Sequence, residues 1–197
     1  MIRHALLLLA LTAAGPAPAP APAPAPGLAQ DRPTLAPTRD AVVAYHMVPG
    51  SGEPIDVRVG FKIGGAALRV DLPDSSFILA IPATLTLVMV VPLQRTALEM
   101  PWVDGPQPLF LLDERMRFTR KGEATIAGAR CTIWDAALDR ARNTLCVSAD
   151  GLVLRNQSQD AQGRRNLVEA YGIRLQSLPD SEFSIPADFV RLHAQPR

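Results

Sequence analysis

The two cysteines are the residues of this chain whose type and spacing most directly suggest chemistry. Cys131 and Cys146 are the only cysteines among 197 residues. A redox pair usually has CxxC spacing, which these two lack. A metal site needs further ligands close by, and His46 and His193 both lie far from either cysteine in the sequence. The remaining interpretation is a structural disulfide. Such a disulfide forms only if the protein reaches an oxidising compartment.

The N-terminal residues predict export. Arg3 is followed by an apolar run over 5–14 that is too short for a membrane span, which needs about 20 residues. A basic start, a short apolar core and small residues after it are typical of a secretory signal peptide. A buried helix is the alternative. Cleavage after Ala14 and cleavage after Ala29 both fit, and no cysteine follows either position, so we expect no lipid anchor.

In an oxidising compartment two cysteines usually pair. We therefore expect a Cys131–Cys146 disulfide in an exported, soluble protein. If the two cysteines face each other directly in a hairpin, its turn centres on Leu138 and Asp139. The polar run over 139–143 suggests a slightly later turn, and a bulge or a longer loop would reconcile the two positions.

Composition and low-complexity sequence divide the chain. Residues 16–26 alternate proline with alanine, which favours a polyproline II spacer and cannot pack a core. The predicted division is a signal peptide with the Pro-Ala segment over 1–29, a linker over 30–38 and a β domain over 39–197. With 20 basic and 19 acidic residues, the chain has no broad electrostatic attraction for nucleic acid.

Alternation with a period of two predicts strands through most of the β domain. Gly64-Gly65 predicts a two-residue hairpin turn. The predicted opposite pairs are Phe61–Leu68, Val59–Val70 and Arg58–Asp71. This register satisfies apolar packing on one face and opposite charges on the other.

Further strands and turns follow the same pattern. Asp150-Gly151 predicts a second hairpin turn, between TLCVSA and LVLRNQ. Other strands are predicted over 41–48, 76–81, 84–91, 95–100, 116–121, 124–135 and 166–178. A short helix is predicted over 108–116, and a helical turn or two over 185–192. Many short strands with closely spaced turns indicate an antiparallel sandwich or barrel.

The stretch over 77–93 is apolar on both faces for much of its length, although one face of an antiparallel sheet usually meets solvent. One explanation is a central strand covered by the predicted helix over 108–116. The other is a strand that lines an apolar cavity for a lipid or similar ligand. The cavity candidates are Phe77, Leu79, Leu85, Leu87, Met89 and Val91.

No catalytic motif is present: the sequence lacks GxSxG, a P-loop, GxGxxG and HExxH. We interpret His46 as a structural histidine, and adjacent Asp113 and Glu114 make a poor acid/base pair. The basic run over 115–121 predicts a solvated strand edge, with an anionic headgroup site as the alternative. We expect a protein that is not an enzyme and that uses no cofactor and no metal.

Several segments together resemble a bacterial exported family of unknown function. They are CTIW at 131–134, CVSADGLVLR at 146–155, LRVD at 68–71, VMVV at 88–91 and FSIP at 183–186. That family is similar in architecture to the lipoprotein carrier LolA and the receptor LolB. The resemblance implies a mainly β, incomplete antiparallel half barrel with one or two short helices and an apolar concave side.

The functional hypothesis is non-catalytic periplasmic binding or carrying of a hydrophobic or acylated ligand, either a lipid or an acylated protein. The alternative is an envelope protein-interaction or structural module with a filled core and no ligand.

Overall fold

The computed structural model describes residues 32–102, 109–138, 141–159 and 163–194. The predicted signal peptide, both cleavage positions and the Pro-Ala segment lie outside the described residues. Twelve strands lie within them: β1 Ala41–Val48, β2 Ile55–Phe61, β3 Leu68–Asp71, β4 Phe77–Ile81, β5 Thr86–Val91, β6 Thr96–Pro101, β7 Arg117–Ile126, β8 Ala129–Leu138, β9 Ala141–Ser148, β10 Val153–Gln159, β11 Arg165–Leu175 and β12 Val190–His193.

All twelve strands belong to one sheet in the order β12-β6-β5-β4-β3-β2-β1-β11-β10-β9-β8-β7. Neighbouring strands are antiparallel, except that β12 runs parallel to β6. The sheet is open, with β12 and β7 at its edges. The prediction of a mainly β, incomplete antiparallel barrel is therefore confirmed.

The β2–β3 hairpin has the predicted register, with Val59 opposite Val70 and Phe61 opposite Leu68. Its turn is longer than predicted, because the Lys62 N–H donates to the Ala67 carbonyl at 3.0 Å and leaves four residues in the loop. Gly64 and Gly65 both have φ of 69°, a left-handed conformation that glycine adopts at low cost.

The two cysteines form the expected disulfide, with their Cα atoms 5.4 Å apart. They are diagonal neighbours, because Cys131 pairs with Ser148 and Cys146 pairs with Ile133. The β8–β9 register is continuous down to the Leu138–Ala141 pair, so the turn lies one residue later than direct opposition requires. A diagonal crosslink thus reconciles the cysteines with the polar run, and the proposed bulge is not needed.

The predicted strand over 124–135 is wrong, because Ala127 and Gly128 interrupt it. Both residues have left-handed φ values, 49° and 78°, and they join β7 to β8 as a two-residue turn. Such turns match the twist of an antiparallel pair. The alanine at the first turn position hides this hairpin from a search for Asn-Gly or Gly-Gly.

The predicted helix over 108–116 is also wrong within the described residues. Residues 109–116 form turns, and the Asp113 carboxylate accepts from the Arg115 N–H at 2.8 Å, a local bond that competes with helix formation. Near the C-terminus a single turn joins Pro186 to Phe189, and Val190–His193 is strand β12.

Strands β2 to β6 have two apolar faces. We call the face with Val59, Phe61, Val70 and Ala80 the inner face, and these side chains are buried in the main core. The outer face of β4 to β6 carries another buried cluster, formed by Phe77, Leu79, Val88, Val90 and Ala97. The core therefore lies on both sides of these strands.

The C-terminal segment, residues 176–189, covers the outer face. Ile185 and Phe189 pack against the outer cluster, and Leu178 is buried with its Cδ1 3.6 Å from the position of a Cβ on Gly60. Leu178 and Phe183 therefore pack over Gly60 at the sheet surface, at ordinary contact distance from that position.

Asp40 fastens this segment to the β2–β3 loop. Its carboxylate accepts from the Leu178 N–H at 2.9 Å, from the Ile63 N–H at 2.8 Å and from the Lys62 ammonium at 3.1 Å. Partial burial raises the pKa of Asp40, but the bonds from Leu178, Ile63 and Lys62 outweigh it and leave the pKa below its ordinary value of 3.8.

The Asp40→Asn variant is expected to lose part of the acid sensitivity of folding. Because the folded-state pKa is depressed, the ionised carboxylate stabilises the fold above pH 3.8, and this stability is lost as the pH falls through the folded pKa. Urea titrations at neutral pH and at about pH 3 give the free energy of unfolding at each pH. The decrease in this free energy between the two pH values should be smaller for the variant than for the wild type. An identical fall in both proteins would contradict this role.

Replacing both cysteines with alanine should lower the free energy of unfolding by about 3 kcal/mol in the chain-entropy model, because the crosslink closes a loop of 15 residues. Denaturant titrations of both proteins without reductant measure the difference. The wild type should also show no reactive thiol when it is unfolded without reductant, and two reactive thiols would reject the disulfide.

Candidate functional site

Burial of the inner face decreases from the middle of the sheet towards the β12 edge. Val59 and Leu68 on β2 and β3 are buried, whereas Met89, Leu98 and Met100 on β5 and β6 are half-buried. On β12, Val190 is 61% exposed and Leu192 is 49% exposed. This region, which we call the inner apolar end, consists of Ile78, Leu87, Met89, Val91, Leu98, Met100, Val190 and Leu192.

The strand registers bring these side chains together. Ile78 pairs with Met89, Met89 pairs with Leu98, and Leu98 pairs with Leu192 across four neighbouring strands. A parallel row joins Ala80 to Leu87 and Leu87 to Met100. Directly paired residues share a face of a sheet, so the two rows form one continuous apolar strip.

The six cavity candidates from the sequence do not share one surface. Phe77 and Leu79 point to the outer face, where they pair with Val90 and Val88 under the C-terminal segment. Leu85 is 56% exposed in the β4–β5 loop. The members on the inner face are Leu87, Met89 and Val91.

The register of the β4–β5 hairpin explains why the candidates lie on different faces. Ile81 pairs with Thr86, so odd-numbered residues of β4 share a face with even-numbered residues of β5. The members of the inner apolar end that the sequence reasoning missed are Ile78, Leu98, Met100, Val190 and Leu192. The alternation of TALEM over 96–100 already placed Leu98 and Met100 on one face. No local sequence pattern predicts that β12 pairs in parallel with β6, so Val190 and Leu192 could not be placed there from the sequence.

The middle of the inner face is filled by the segment that precedes β7. The Phe110 ring lies 4.8 Å from the Tyr45 ring, and both side chains are buried. The Tyr45 hydroxyl donates to the Val153 carbonyl at 2.8 Å, and burial raises the pKa of Tyr45. The Asn156 amide donates to the Leu109 carbonyl at 3.0 Å and holds this segment in place.

The polar groups singled out in the sequence are paired at the surface. His46 Nδ1 lies 2.8 Å from the Asp56 carboxylate, and both side chains are exposed. In the basic run, Arg120 pairs with Glu123 at 2.6 Å and Lys121 pairs with Asp135 at 3.1 Å. These ion pairs agree with the interpretation of a solvated edge.

Other functional elements were also sought in the part of the chain that the structure describes. No group of three or more His, Cys, Asp or Glu side chains is placed to hold a metal ion there. Nor is any helix of that part long and apolar enough to cross a membrane.

Comparison with solved structures identifies the fold. An uncharacterized conserved protein from Thermus thermophilus superposes with a TM-score of 0.53 at 13% identity, over 80% of this chain and 91% of that one. MucB superposes with a TM-score of 0.52 at 11% identity, over 80% of this chain and 61% of that one.

A LolA superfamily protein from Nitrosomonas europaea is also among the similar structures, with a TM-score of 0.44 at 13% identity, over 76% of this chain and 92% of that one. No protein-family model and no curated protein matches the sequence. At such low identities the similarity to the Thermus thermophilus protein and to MucB shows a shared fold alone, and the ligand must be argued from this chain's own residues.

Proposed function

We propose that this protein is an exported, non-catalytic binding protein of the periplasm that holds an acyl chain, from a lipid or an acylated protein, on the inner apolar end. The observation that carries the proposal is the unequal cover of the two apolar faces of β4 to β6. The chain's own C-terminal segment buries the outer face, whereas the inner face retains half-buried and exposed apolar side chains.

The composition of the inner apolar end suits an alkyl chain. Burying apolar surface contributes about 0.8 kcal/mol per CH₂ group, so a long acyl chain gains binding energy along the whole strip. Met89 and Met100 have flexible, polarisable side chains that adapt to ligands of different shape. Leu87 and Leu98 lie beside them in the two cross-strand rows.

A second candidate function is protein interaction in the cell envelope. Phe110 fills the middle of the inner face against Tyr45, which favours a filled core over a deep lipid cavity. In this alternative the same inner apolar end docks apolar side chains of a protein partner. The two functions therefore use one surface and differ in the chemistry of the occupant.

Export itself rests on the sequence. Residues 1–29 carry the predicted signal peptide and the Pro-Ala segment, with cleavage proposed after Ala14 or after Ala29. If cleavage follows Ala14, the Pro-Ala segment remains on the mature protein as a spacer.

Met89→Asp and Met100→Asp are expected to weaken binding of a fluorescent palmitoyl probe at least about tenfold, because a carboxylate loses hydration against an alkyl chain. The matched control is Leu93→Asp in the β5–β6 loop, where Leu93 is 88% exposed and lies outside the inner apolar end. Fluorescence titration measures probe affinity, and circular dichroism verifies the fold of each variant.

Native mass spectrometry of wild-type protein, purified from the periplasm without detergent, tests for the natural ligand. A co-purifying lipid mass that Met89→Asp removes and Leu93→Asp keeps supports the acyl function. A ligand-free mass together with no affinity for the palmitoyl probe rejects it and favours the protein-interaction alternative.

A further inference from the structure

A cleft of about 260 Å³ lies between the N-terminal end of the described chain and the sheet at strands β7, β8 and β9. The strand registers form its floor, because Glu123 pairs with Thr132 and Thr132 pairs with Val147. Arg130 and Trp134 lie two residues on either side of Thr132 in β8, so they share its face of the sheet. All five residues line the cleft, which is therefore built on one face of three neighbouring strands.

Pro33 and Thr34 form the opposite wall of the cleft. Pro33 is buried, and the Thr34 hydroxyl donates to the Ala149 carbonyl at 3.3 Å. Four residues later, the Thr38 N–H donates to the Asp150 carbonyl at 3.0 Å. These bonds hold the wall against the end of β9 and the turn that follows it, so the cleft does not need a ligand to form.

The floor of the cleft contains a buried donor without an acceptor. Trp134 is 3% exposed, and its Nε1–H has no hydrogen-bond partner among the described residues. The ring packs edge-on against Phe118, with the ring centroids 6.3 Å apart, and it belongs to a buried cluster with Met116 and Leu145. A buried N–H without an acceptor is unfavourable, so a ligand that supplies an acceptor there gains a hydrogen bond that the protein alone lacks.

Two further donors lie beside Trp134 on the same face. Thr132 is half-buried and carries a hydroxyl, and Arg130 is exposed and carries a guanidinium. A guanidinium presents a planar fork of N–H groups that matches the two oxygens of a carboxylate. The donors therefore extend from the exposed rim of the cleft at Arg130 to its buried floor at Trp134.

One acidic side chain limits the charge of the ligand. Glu123 also lines the cleft, and its carboxylate pairs with the Arg120 guanidinium at 2.6 Å. Arg120 offsets the charge of Glu123, so a singly charged anion is tolerated, whereas a doubly charged phosphate is repelled more strongly. A volume of about 260 Å³ is slightly below that of most small-molecule sites, so we expect a compact group.

We propose that this cleft binds a carboxylate group, either from a small organic acid or from the C-terminus of a peptide. The Trp134 Nε1–H and the Thr132 hydroxyl donate to the carboxylate oxygens at the floor, and the Arg130 guanidinium binds them from the rim. Thr132 lies between the other two residues in β8, so their long side chains can reach one group above it. The cleft shares no residue with the inner apolar end, so the two proposals are tested independently.

The test follows the indole N–H of Trp134 by proton–nitrogen NMR. The chain has two tryptophans, and a Trp102→Phe variant assigns the Trp134 signal in the wild-type spectrum. Sodium butyrate is the probe for a small organic acid, and acetyl-trialanine with a free C-terminus is the probe for a peptide. At least one of them should move the Trp134 signal downfield in a saturable way, because a charge-assisted hydrogen bond forms at its proton.

Three variants connect this signal to the cleft. Arg130→Gln should weaken the observed binding at least about tenfold, because it removes a charge-assisted contact. Thr132→Val keeps the shape of the side chain and removes its hydroxyl, so it should weaken binding by a smaller factor. Arg117→Gln is the matched control, since Arg117 is an exposed residue of β7 outside the cleft.

Each outcome decides the proposal. Butyrate binding that Arg130→Gln weakens and Arg117→Gln leaves intact supports a small organic acid. Binding of the peptide acid alone, with the same pattern among the variants, supports a C-terminal carboxylate. If neither probe moves the Trp134 signal, the cleft holds only water and the proposal is overturned. It is also overturned if the amide of the same peptide or inorganic phosphate binds as tightly as the carboxylates, or if Arg117→Gln weakens binding as much as Arg130→Gln does.

Discussion

The two-sided apolarity of β4 and β5 is the constraint on which the rest of the structure depends. Ile78 and Ala80 face inward on β4, while Phe77 and Leu79 face outward. An open sheet cannot cover both faces with its own strands, so other parts of the chain must do so. The C-terminal segment covers the outer face, and Asp40 fastens it through its bond to the Leu178 N–H. The segment around Phe110 covers the middle of the inner face.

Cover of the inner face decreases because the covering segment is short. Leu109, Phe110 and Leu111 pack near the centre of the sheet against the main core, and Trp102 joins them there. Towards β12, Met100 and Leu192 remain partly open. A closed barrel would bury these positions in its interior, whereas an open sheet leaves an apolar strip at its edge. The same geometry that weakens the core there therefore creates a surface for an apolar occupant.

The sequence correctly predicted the features that depend on local alternation of apolar residues and on turn residues. The β2–β3 register followed from Val59 and Val70, and the disulfide followed from the predicted export. The Ala127-Gly128 turn was missed because alanine seldom adopts left-handed angles. The placement of the C-terminal segment depends on contacts distant in sequence, such as Asp40 with Leu178. No local pattern shows which apolar face such a segment will cover, and the six predicted cavity residues were therefore divided between two faces.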